Sequence, residues 1–586
     1  LDKRLQQHFC IRAYILDPAK LEEPKDCSAR IQTLMEMALP IDGDPFKGLI
    51  KVDIINAQRG FSDPHTGNSA DAVNLSTQLR DYFAQHLNPS DLPDPDDVVA
   101  LRAIDEAQSS FDTKLNSSLK SALSELETLG YPGFSDPKIT LTSKVDPLES
   151  LSHSSAVQFD VLNTGESETD VSSIPRLPEK YNGLGYQNLI SMVFRLIRFR
   201  DEWMQVGKVG KRKVESGKAV SIEPLHLVLI EEPEAHLHAQ VQQVFINKAY
   251  DVLRNHQHLM KATQFRTQMI VSTHSSHIAH EIDFTNLRYF RRQAALARGE
   301  VPTATVVNLS EVFGEGNETS KFATRYLKTT HCDLFFADAA ILVEGAAERM
   351  LIPEFIRRDF PDLTSSYISL LEISGSHAHR LRPLVESLGI ITLIITDLDS
   401  VDPKNNMSSV LPNREKGYVT GNPTLKEWIP GITNVDELLN ATDASKESSD
   451  LPVRVAFQTP INIHVGKKSF EAIPYTFEDA LAFENIELFR KLDQEKGLIK
   501  KFSLLLALEK LATAEYLKEV RNEVYKAVRN ATKAEFALDL LYLEDSEKLA
   551  VPTYIKEGLN WLTQRVAKKR NEFPVTANDD TSGAEQ

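Results

Sequence analysis

Four acidic residues follow two short apolar segments of this chain. Glu344 comes directly after AAILV, Asp397 and Asp399 end the stretch ITLIITDLD, and Glu348 stands four residues after Glu344. One helical turn separates the two glutamates, so both can face the same point, and residues 397 and 399 of an extended segment point the same way. Hard divalent cations with oxygen ligands relieve the repulsion among such acids. Two such ions can activate water and stabilise a leaving oxygen, so the spacing predicts a two-metal site for phosphodiester cleavage.

Buried strands must position these acids. Residues 338 to 400 alternate strand, helix, strand, helix, strand, with AAILV first, YISLLEISGS in the middle and GIITLIIT last. This order predicts a parallel sheet, and ligands of open α/β sheets bind beyond the carboxyl ends of the strands. Gly345, next to the first acid, suits a place where a ligand or backbone comes close. Surface decoration is the alternative for Glu348 taken alone, and it is weaker for the acidic pair after ITLIIT.

A second group of polar residues follows two further apolar segments. LHLVLIEEPEAHLH ends its apolar run at Glu231 and Glu232, and TQMIVSTHS carries His274 near its end. A strand that delivers Glu231 toward a Mg²⁺ shell, with Glu232 polarising the attacking water, would suit nucleotide hydrolysis. In YNGLGYQNLI, Gly183 and Gly185 open a helix whose backbone N–H groups can meet phosphate. The alternative for the two glycines alone is an ordinary turn.

The acidic segments resemble the Toprim domain, which topoisomerases, primases and nucleases of the OLD (overcoming lysogenization defect) family share. The matching motifs are Glu344–Gly345 after the first strand and Asp397-Leu398-Asp399 after a later one. The fold and the metal site of that domain are therefore what the resemblance implies for this part of the chain.

The second group resembles the ABC-type ATPases. LHLVLIEEPEAHLH is similar to their Walker B strand, and His274 corresponds to the switch histidine that meets the γ-phosphate. Gly183 and Gly185 resemble a degenerate ABC signature, which completes the partner's nucleotide site across a dimer. An ABC-type ATPase followed by one Toprim domain resembles the OLD family over nearly the whole chain.

Two later stretches also match the OLD family. FEDALA contains Glu478, and KAEFA begins with Lys533. The resemblance implies that Glu478 completes the metal shell and that Lys533 stabilises charge on the scissile phosphate. Without the resemblance, TKAEFALDLL is an amphipathic helix whose lysine would face solvent.

The resemblance implies an α/β chain in two parts. Residues 1–330 would form an ABC-type ATPase head with a helical dimerisation insertion at about 70–160, and residues 331–586 a Toprim nuclease domain with C-terminal helices. The expected activity is that of an ATP-regulated endonuclease that nicks or cuts DNA with Mg²⁺ or Mn²⁺, in phage defence or DNA repair. Such proteins form homodimers or larger assemblies, and in the Gabija system a helicase-like partner is encoded nearby.

One motif of the family is missing, because no GxxxxGK[ST] occurs in the 586 residues. The lysine and the backbone cradle for the β- and γ-phosphates are therefore lacking in this sequence. In the family the P-loop precedes every motif described above. Either an N-terminal segment lies outside this sequence, which the start at a residue other than Met favours, or nucleotide binding has been lost.

Composition narrows the cellular setting. A net charge of −17 argues against a protein that coats DNA by bulk electrostatics, but not against a nuclease whose acids hold metal ions. The basic stretches 208–218 and 568–573 are candidate local patches, although a solvated loop or face is the preferred interpretation. No apolar run approaches the roughly 20 residues of a membrane span, and the three scattered cysteines fit a reducing compartment. We therefore expect a cytoplasmic protein without a membrane partner.

Two other functions stay open. One is a non-cleaving SMC/RecF-like ATPase that binds DNA and keeps its Toprim domain as a scaffold; the missing P-loop favours it and the retained acids oppose it. The other is a primase- or topoisomerase-like Toprim enzyme. A topoisomerase needs a nucleophilic tyrosine, and none of the 15 tyrosines stands in a recognisable context for one.

Overall fold

The computed structural model divides by packing into two compact units, Leu1–Glu281 and Ile282–Gln586. The residues that the structure describes are 10, 12–23, 30–57, 75–128, 158–160, 176–178, 181, 183–215, 222–261, 263–293, 301–313, 325–327, 331–373, 375–465, 468–492, 497–506, 513–543 and 546–571. The division at 281 differs from the predicted boundary at 330, because Arg291 lies against Gly389 and joins that region to the second unit. The assignment of 1–330 and 331–586 to the two domains stays a prediction.

The first unit mixes strands and helices. Its strands are β1 (Ile50–Ile55), β2 (Gln158–Asp160), β3 (Arg176–Pro178), β4 (Leu225–Glu231) and β5 (Arg266–Ser272). Its helices are α1 (Leu75–Tyr82), α2 (Pro95–Thr128), α3 (Leu184–Trp203), α4 (Lys208–Glu215), α5 (Ala239–Arg254), α6 (Gln257–Lys261) and α7 (Ser276–Glu281), with one π-helical turn at Phe83–Leu87.

A three-stranded parallel sheet in the order β1-β4-β5 forms the centre of this unit. Alternate residues of β4 point inward, and Val228 and Ile230 are buried there, as the period of two in a strand requires. Helices α3 and α5 pack together and cover this face through Met192 and Phe245. Parallel strands end at the same edge of a sheet, so Glu231 of β4 stands beside Ser272 of β5.

The helical insertion predicted at about 70–160 contains α1 and the 34-residue helix α2. Residues 58–74, 129–157 and 161–175 lie outside the described residues. Residues 158–160 form strand β2, which pairs with β3.

The basic stretch 208–218, for which a solvated loop or face was the preferred interpretation, begins with helix α4. Three basic residues of α4 pair with acids that precede or begin α2: Lys208 with Asp97, Lys211 with Asp94, and Arg212 with Asp91. Three basic residues of the stretch 208–218 are therefore paired with acids of the same unit.

The second unit is also mixed. Its strands are β6 (Arg288–Gln293), β7 (Thr303–Asn308), β8 (Ala339–Val343), β9 (Ile368–Glu372), β10 (Ile391–Ile395), β11 (Ser400–Asp402), β12 (Ser408–Ser409), β13 (Val419–Thr420), β14 (Val453–Ala456), β15 (Ile461–Val465) and β16 (Lys468–Ala472). Its helices are α8 (Leu309–Phe313), α9 (Ala346–Asp359), α10 (Arg382–Leu388), α11 (Pro423–Glu427), α12 (Val435–Leu439), α13 (Phe477–Glu484), α14 (Ile486–Phe489), α15 (Gly497–Leu505), α16 (Ala514–Arg529), α17 (Lys533–Leu541) and α18 (Thr553–Asn571).

A four-stranded parallel sheet in the order β14-β10-β8-β9 positions the site of this unit. Every residue of β8 and β10 is buried, as in parallel strands whose two faces are both covered. Helix α18 packs on β10 and β14, and α9 packs on α17. The predicted α/β class, with strand–helix alternation followed by C-terminal helices, is confirmed.

A small subdomain lies between β10 and β14. It contains the antiparallel sheet β12-β11-β13 and helices α11 and α12. Its segment 420–422 contacts the end of β10. Among the described residues of both units, no helix is long and apolar enough to cross a membrane.

Candidate active site

The ends of β8 and β10 bring two predicted acids together. The strands run parallel with Val343 beside Ile395, so Glu344 and Asp397 leave the sheet at the same edge. The backbone N–H of Asp397 donates to Oε1 of Glu344 at 3.1 Å, and the hydroxyl of Thr396 donates to the same oxygen. The predicted adjacency of the two strand-end acids is therefore present in the structure.

Glu348 lies in the first turn of α9 and is 3% exposed. Its carboxylate folds back over the start of the helix, since a Cβ added at Gly345 would lie only 3.2 Å from its Oε2. The small residue that the sequence placed after Glu344 therefore leaves room for the next acid. Glu348 is not a surface residue.

Asp399 reaches the same site by a route that the sequence did not indicate. Its φ is +47°, so the backbone turns left-handed at this residue and the expected extended path from 397 to 399 is wrong. Asp399 still interacts electrostatically with Glu344 and Asp397, and its carboxylate hydrogen-bonds the Ser376 side chain. The cause of the difference is the turn into β11, which begins at the following residue.

The two acids of the FEDALA stretch, Glu478 and Asp479, have different roles. Glu478 in the first turn of α13 is fully buried and accepts a hydrogen bond from the Thr476 hydroxyl at 2.7 Å. Asp479 accepts from the backbone N–H groups of Tyr475 and Thr476, each at 2.7 Å, and thereby caps the helix. Glu478 is thus left to face the other acids.

Lys533 begins α17 and lies among the acids. Its Nζ is 3.2 Å from Oε2 of Glu478 and 3.8 Å from Oδ2 of Asp397, with 39% of the side chain exposed. An amphipathic-helix interpretation alone would have left this lysine in solvent. The structure brings it to the site that the family resemblance implied, and its catalytic role stays a prediction.

Burial dominates the electrostatics of this cluster. It raises the pKa of Glu344 to about 8, with the Asp399 charge adding to the effect, and raises that of Glu348 to about 7, with Glu478 adding and Lys533 opposing. Burial also raises the pKa of Asp397 and Asp399, against the opposing charge of Lys533. Carboxylates with raised pKa values take up protons or a cation near neutral pH.

Burial lowers the pKa of Lys533, but the charges of Asp397, Glu478 and Glu348 outweigh it, and the net direction is upward. The ammonium group therefore stays charged at neutral pH. Its positive charge acts on Asp397, Glu478 and Glu348, and that of Lys426 also acts on Asp399.

The acids fit a hard divalent cation by their chemistry. Oε2 of Glu348 and Oε1 of Glu478 are buried and have no hydrogen-bond partner, and carboxylate oxygens are the ligands that Mg²⁺ and Mn²⁺ prefer. Among the described residues, however, no three His, Cys, Asp or Glu side chains are arranged around one point to hold a metal. The two observations differ because Glu344, Asp397 and Glu478 are each turned toward protein hydrogen-bond donors.

In the first unit, the residues predicted for nucleotide hydrolysis also meet. Oε2 of Glu231 accepts from the Ala57 backbone N–H at 3.1 Å. Glu232 has a φ of +42° and donates its N–H to the Ser272 carbonyl, and Nε2 of His274 lies 3.6 Å from its Oε1. The predicted general base and the predicted switch histidine are therefore neighbours at one sheet edge.

Gly183 and Gly185 lie at the start of α3. Gly183 is the N-cap residue, with open space around it, whereas a Cβ at Gly185 would come within 2.5 Å of the His236 carbonyl oxygen. Asn188 of the same helix donates to the Ala235 carbonyl at 2.6 Å. Gly185 is thus needed for close packing against the turn that follows Glu232, and the phosphate-binding role of both glycines stays a prediction.

Several residues of the two sites were missed by sequence reasoning. Glu234 accepts hydrogen bonds from the His274 backbone N–H at 2.6 Å and from the Thr273 hydroxyl at 2.9 Å, and so positions the histidine. Gln458, fully buried, bonds the Leu398 N–H through its oxygen and the Asp397 carboxylate through its nitrogen. Its place just after β14 was an available signal, because a polar residue there must lie at the acid-bearing edge.

Two family models of known proteins match the chain, one in its first part and one in its second. A family model described as "AAA ATPase domain" matches residues 28–279, which include every residue predicted for nucleotide hydrolysis. A second, described as "Overcoming lysogenization defect protein-like, TOPRIM domain", matches residues 335–399. This segment includes Glu344, Glu348, Asp397 and Asp399. Glu478 and Lys533 lie beyond the matched segment.

Two curated proteins named "Endonuclease GajA" are similar to this chain. The one from Bacillus cereus (strain HuB5-5) is 27% identical over 407 residues, which are 67% of this chain and 54% of that protein. The one from strain VD045 is 25% identical over 173 residues, or 30% of this chain and 26% of that protein. The chain thus spans about half the length of the first relative.

Among solved structures, the C-terminal region of the Burkholderia pseudomallei OLD protein overlaps 39% of this chain and 99% of its own, with 22% identity and a TM-score of 0.24. The two family models match successive parts of the chain, the ATPase model first and the Toprim model second. The chain carries an AAA ATPase domain followed by an OLD-like Toprim domain, and its resemblance to the OLD family of nucleases is confirmed.

Proposed function

We propose that this chain is a metal-dependent DNA endonuclease, in which the Toprim domain cleaves the phosphodiester and the ATPase domain regulates cleavage. The observation that carries the proposal is the convergence of five carboxylates and one lysine at one edge of the second unit's parallel sheet. Buried oxygens of Glu348 and Glu478 lack partners there, which costs free energy unless a cation joins them. The curated endonucleases that match the chain support the same activity.

The acids that would hold Mg²⁺ or Mn²⁺ are Glu344, Glu348, Asp397, Asp399 and Glu478. Bound there, two ions would supply an activated water and neutralise charge on the phosphate. The protein's own part is to hold these oxygens at one edge of a rigid sheet and to exclude water from most of them. A net charge of −17 makes such cations necessary, because the acids alone would repel DNA.

Lys533 has a different task, because its ammonium is charged and partly open to solvent. In the metal-free protein it pairs with Glu478 and Asp397. Once cations neutralise those acids, Lys533 is free to turn to the DNA. We assign it the stabilisation of negative charge that develops on the phosphate oxygens.

The first unit would act on ATP. Glu231 would contribute to a Mg²⁺ shell, Glu232 would polarise the attacking water, and His274 would contact the γ-phosphate. The exposure of His274 and Glu232, 81% and 44% of their side chains, supports access by a ligand. Gly183 and Gly185 would meet the nucleotide of a second copy, which makes the proposed regulated form a homodimer or larger assembly.

The biological setting is proposed from the resemblance alone. Phage defence with a helicase-like partner, as in the Gabija system, is the first proposal, and DNA repair is the second. In both settings the substrate would be DNA and the location cytoplasmic.

Incubation of supercoiled plasmid with the purified chain in Mg²⁺, Mn²⁺, Ca²⁺ or EDTA tests the proposal. Nicked or linear product in Mg²⁺ or Mn²⁺, and intact plasmid in EDTA, is the expected result. Plasmid that is bound but never nicked in any metal would reject the proposal and favour a non-cleaving ATPase with a Toprim scaffold. Plasmid that is relaxed and resealed would indicate a topoisomerase.

A further inference from the structure

The turn that carries Asp397 and Asp399 is held by a segment far along the chain. Residues 397–399 leave β10 without entering another strand of the parallel sheet, and their three carbonyl groups need hydrogen-bond donors. Three consecutive residues, Thr420, Gly421 and Asn422, supply those donors. We call residues 420–422 the clamp segment.

Each residue of the clamp segment donates a hydrogen bond to one carbonyl of residues 397–399. Asn422 Nδ2 donates to the Asp397 carbonyl at 2.8 Å, the Thr420 hydroxyl to the Leu398 carbonyl at 2.7 Å, and the Gly421 N–H to the Asp399 carbonyl at 2.6 Å. Thr420 and Asn422 are fully buried. Every carbonyl of the acidic turn is therefore satisfied by the clamp segment.

Asn422 also reaches the other acids of the site. Its Nδ2 lies 2.6 Å from the Thr396 hydroxyl and 3.2 Å from Oε1 of Glu344. Its Oδ1 faces the other way and accepts from the backbone N–H groups of Thr424 and Leu425, which caps α11. The same side chain thus ties the small subdomain to the ends of both β8 and β10.

The middle residue of the clamp segment must be small. A Cβ at Gly421 would lie 3.1 Å from the Asp399 carbonyl and 3.2 Å from Cγ1 of Val401. Asp399 itself has a left-handed φ, a conformation that aspartate adopts more readily than most residues other than glycine. The Gly421 N–H holds the Asp399 carbonyl in this turn, and a side chain at residue 421 would crowd that carbonyl.

We propose that the clamp segment is a positioning element for the metal-binding acids, and that the subdomain between β10 and β14 exists in part to deliver it. The inference rests on the proposed function, since the acids of that function are the ones it positions. Asn422, Thr420 and Gly421 touch no substrate in this account; they act through Glu344, Asp397 and Asp399.

Asn422→Ser tests the proposal, because serine keeps a helix-capping oxygen but cannot span to Thr396 and the Asp397 carbonyl. The matched control is Asn434→Ser, since Asn434 caps α12 of the same subdomain in the same way. The readout is Mn²⁺ binding to the full chain, measured from the free-Mn²⁺ signal in electron paramagnetic resonance. Loss of a residue that orients metal ligands weakens metal binding about 10- to 100-fold, whereas the control should change binding less than about twofold.

A second variant guards against misfolding. Thr420→Val removes only the hydroxyl and keeps the volume, and it too should weaken Mn²⁺ binding. In cleavage assays both variants should need more Mn²⁺ for half-maximal rate, while the rate at saturating Mn²⁺ stays close to that of the wild type. A merely structural role would lower the thermal midpoint and leave the Mn²⁺ dependence unchanged.

Wild-type Mn²⁺ affinity in Thr420→Val and in folded Asn422→Ser would overturn the inference and leave the proposed nuclease untouched. A wild type that binds Mn²⁺ but cleaves no DNA would sink the proposed function while the clamp could still be tested by binding. A wild type that binds no Mn²⁺ at all would overturn both.

Discussion

The substitution Glu348→Gln should stabilise the metal-free protein at alkaline pH. Glu348 is 3% exposed and its pKa is raised from 4.5 to about 7 by burial and by the Glu478 charge. Because the folded pKa lies above the unfolded one, stability falls as pH rises from about 4.5 and levels off above about 7. A neutral isostere does not incur this cost.

The size of the effect follows from the shift. At pH 8 the difference between pKa values of 4.5 and about 7 corresponds to about 3 kcal/mol. At pH 5, where Glu348 is protonated in the folded chain, the cost is only about 1 kcal/mol by the same relation. The gain from Glu348→Gln should therefore shrink by roughly 2 kcal/mol between the two pH values.

Urea unfolding in EDTA at pH 8 and pH 5 measures this difference. Glu354→Gln is the matched control, because Glu354 lies on the same helix α9 and forms a surface pair with Arg357, a type worth about 0 to 1 kcal/mol. Equal stability of wild type and Glu348→Gln at pH 8, or a gain that does not depend on pH, would refute the electrostatic account of the site.

Three further predictions concern other parts of the protein. Lys533→Met should slow cleavage about 10²- to 10³-fold in single-turnover assays while Mn²⁺ binding stays at least as tight, and weaker Mn²⁺ binding would instead make Lys533 part of the metal site. Mn²⁺ affinity of the wild type should rise from pH 6 to pH 8, by up to about tenfold per pH unit for each proton displaced. The reason is that the pKa values of Glu344 and Glu348 are raised to about 8 and about 7. A flat profile in calorimetric titration would argue against these acids as ligands. Gly185→Ala should destabilise the first unit by about 1 to 3 kcal/mol in urea unfolding, since its Cβ would meet the His236 carbonyl at 2.5 Å, whereas Gly183→Ala, with open space around it, should cost less.

The sequence predicted the acids at the strand ends because their positions follow from simple periodicities. Glu344 and Asp397 come directly after wholly apolar runs, and such runs form buried parallel strands. Glu348 follows one helical turn after the first acid. For these three residues, local pattern was sufficient to predict their place at the sheet edge.

Long-range features had no such signal. The donors of Asn422 depend on where the subdomain between β10 and β14 returns to the site, which no local spacing encodes. Lys533 and Glu478 were identified only by family resemblance. Asp399 shows the limit most clearly: periodicity indicated an extended residue, whereas the residue is left-handed in the turn that leads into β11 and that residues 420–422 hold by hydrogen bonds.

The charge pattern of the sequence also did not show which basic residues pair with acids in the fold. The stretch 208–218 is basic in sequence, yet Lys208, Lys211 and Arg212 pair with acids more than 100 positions earlier in the chain. This pairing depends on helix α4 lying beside the start of α2, which the sequence does not encode locally. A run of basic residues in the sequence is therefore weak evidence for a surface that contacts DNA.

We propose that the acids at the ends of β8 and β10 hold the metal ions with which the chain cleaves DNA. Asp397→Asn keeps the size of the side chain and its contact with Gln458 but removes the charge, and Asp402→Asn makes the same change on neighbouring strand β11. We predict that the wild type and Asp402→Asn nick supercoiled plasmid in Mn²⁺, and that folded Asp397→Asn does not. Nicking by Asp397→Asn at the wild-type rate would contradict the account.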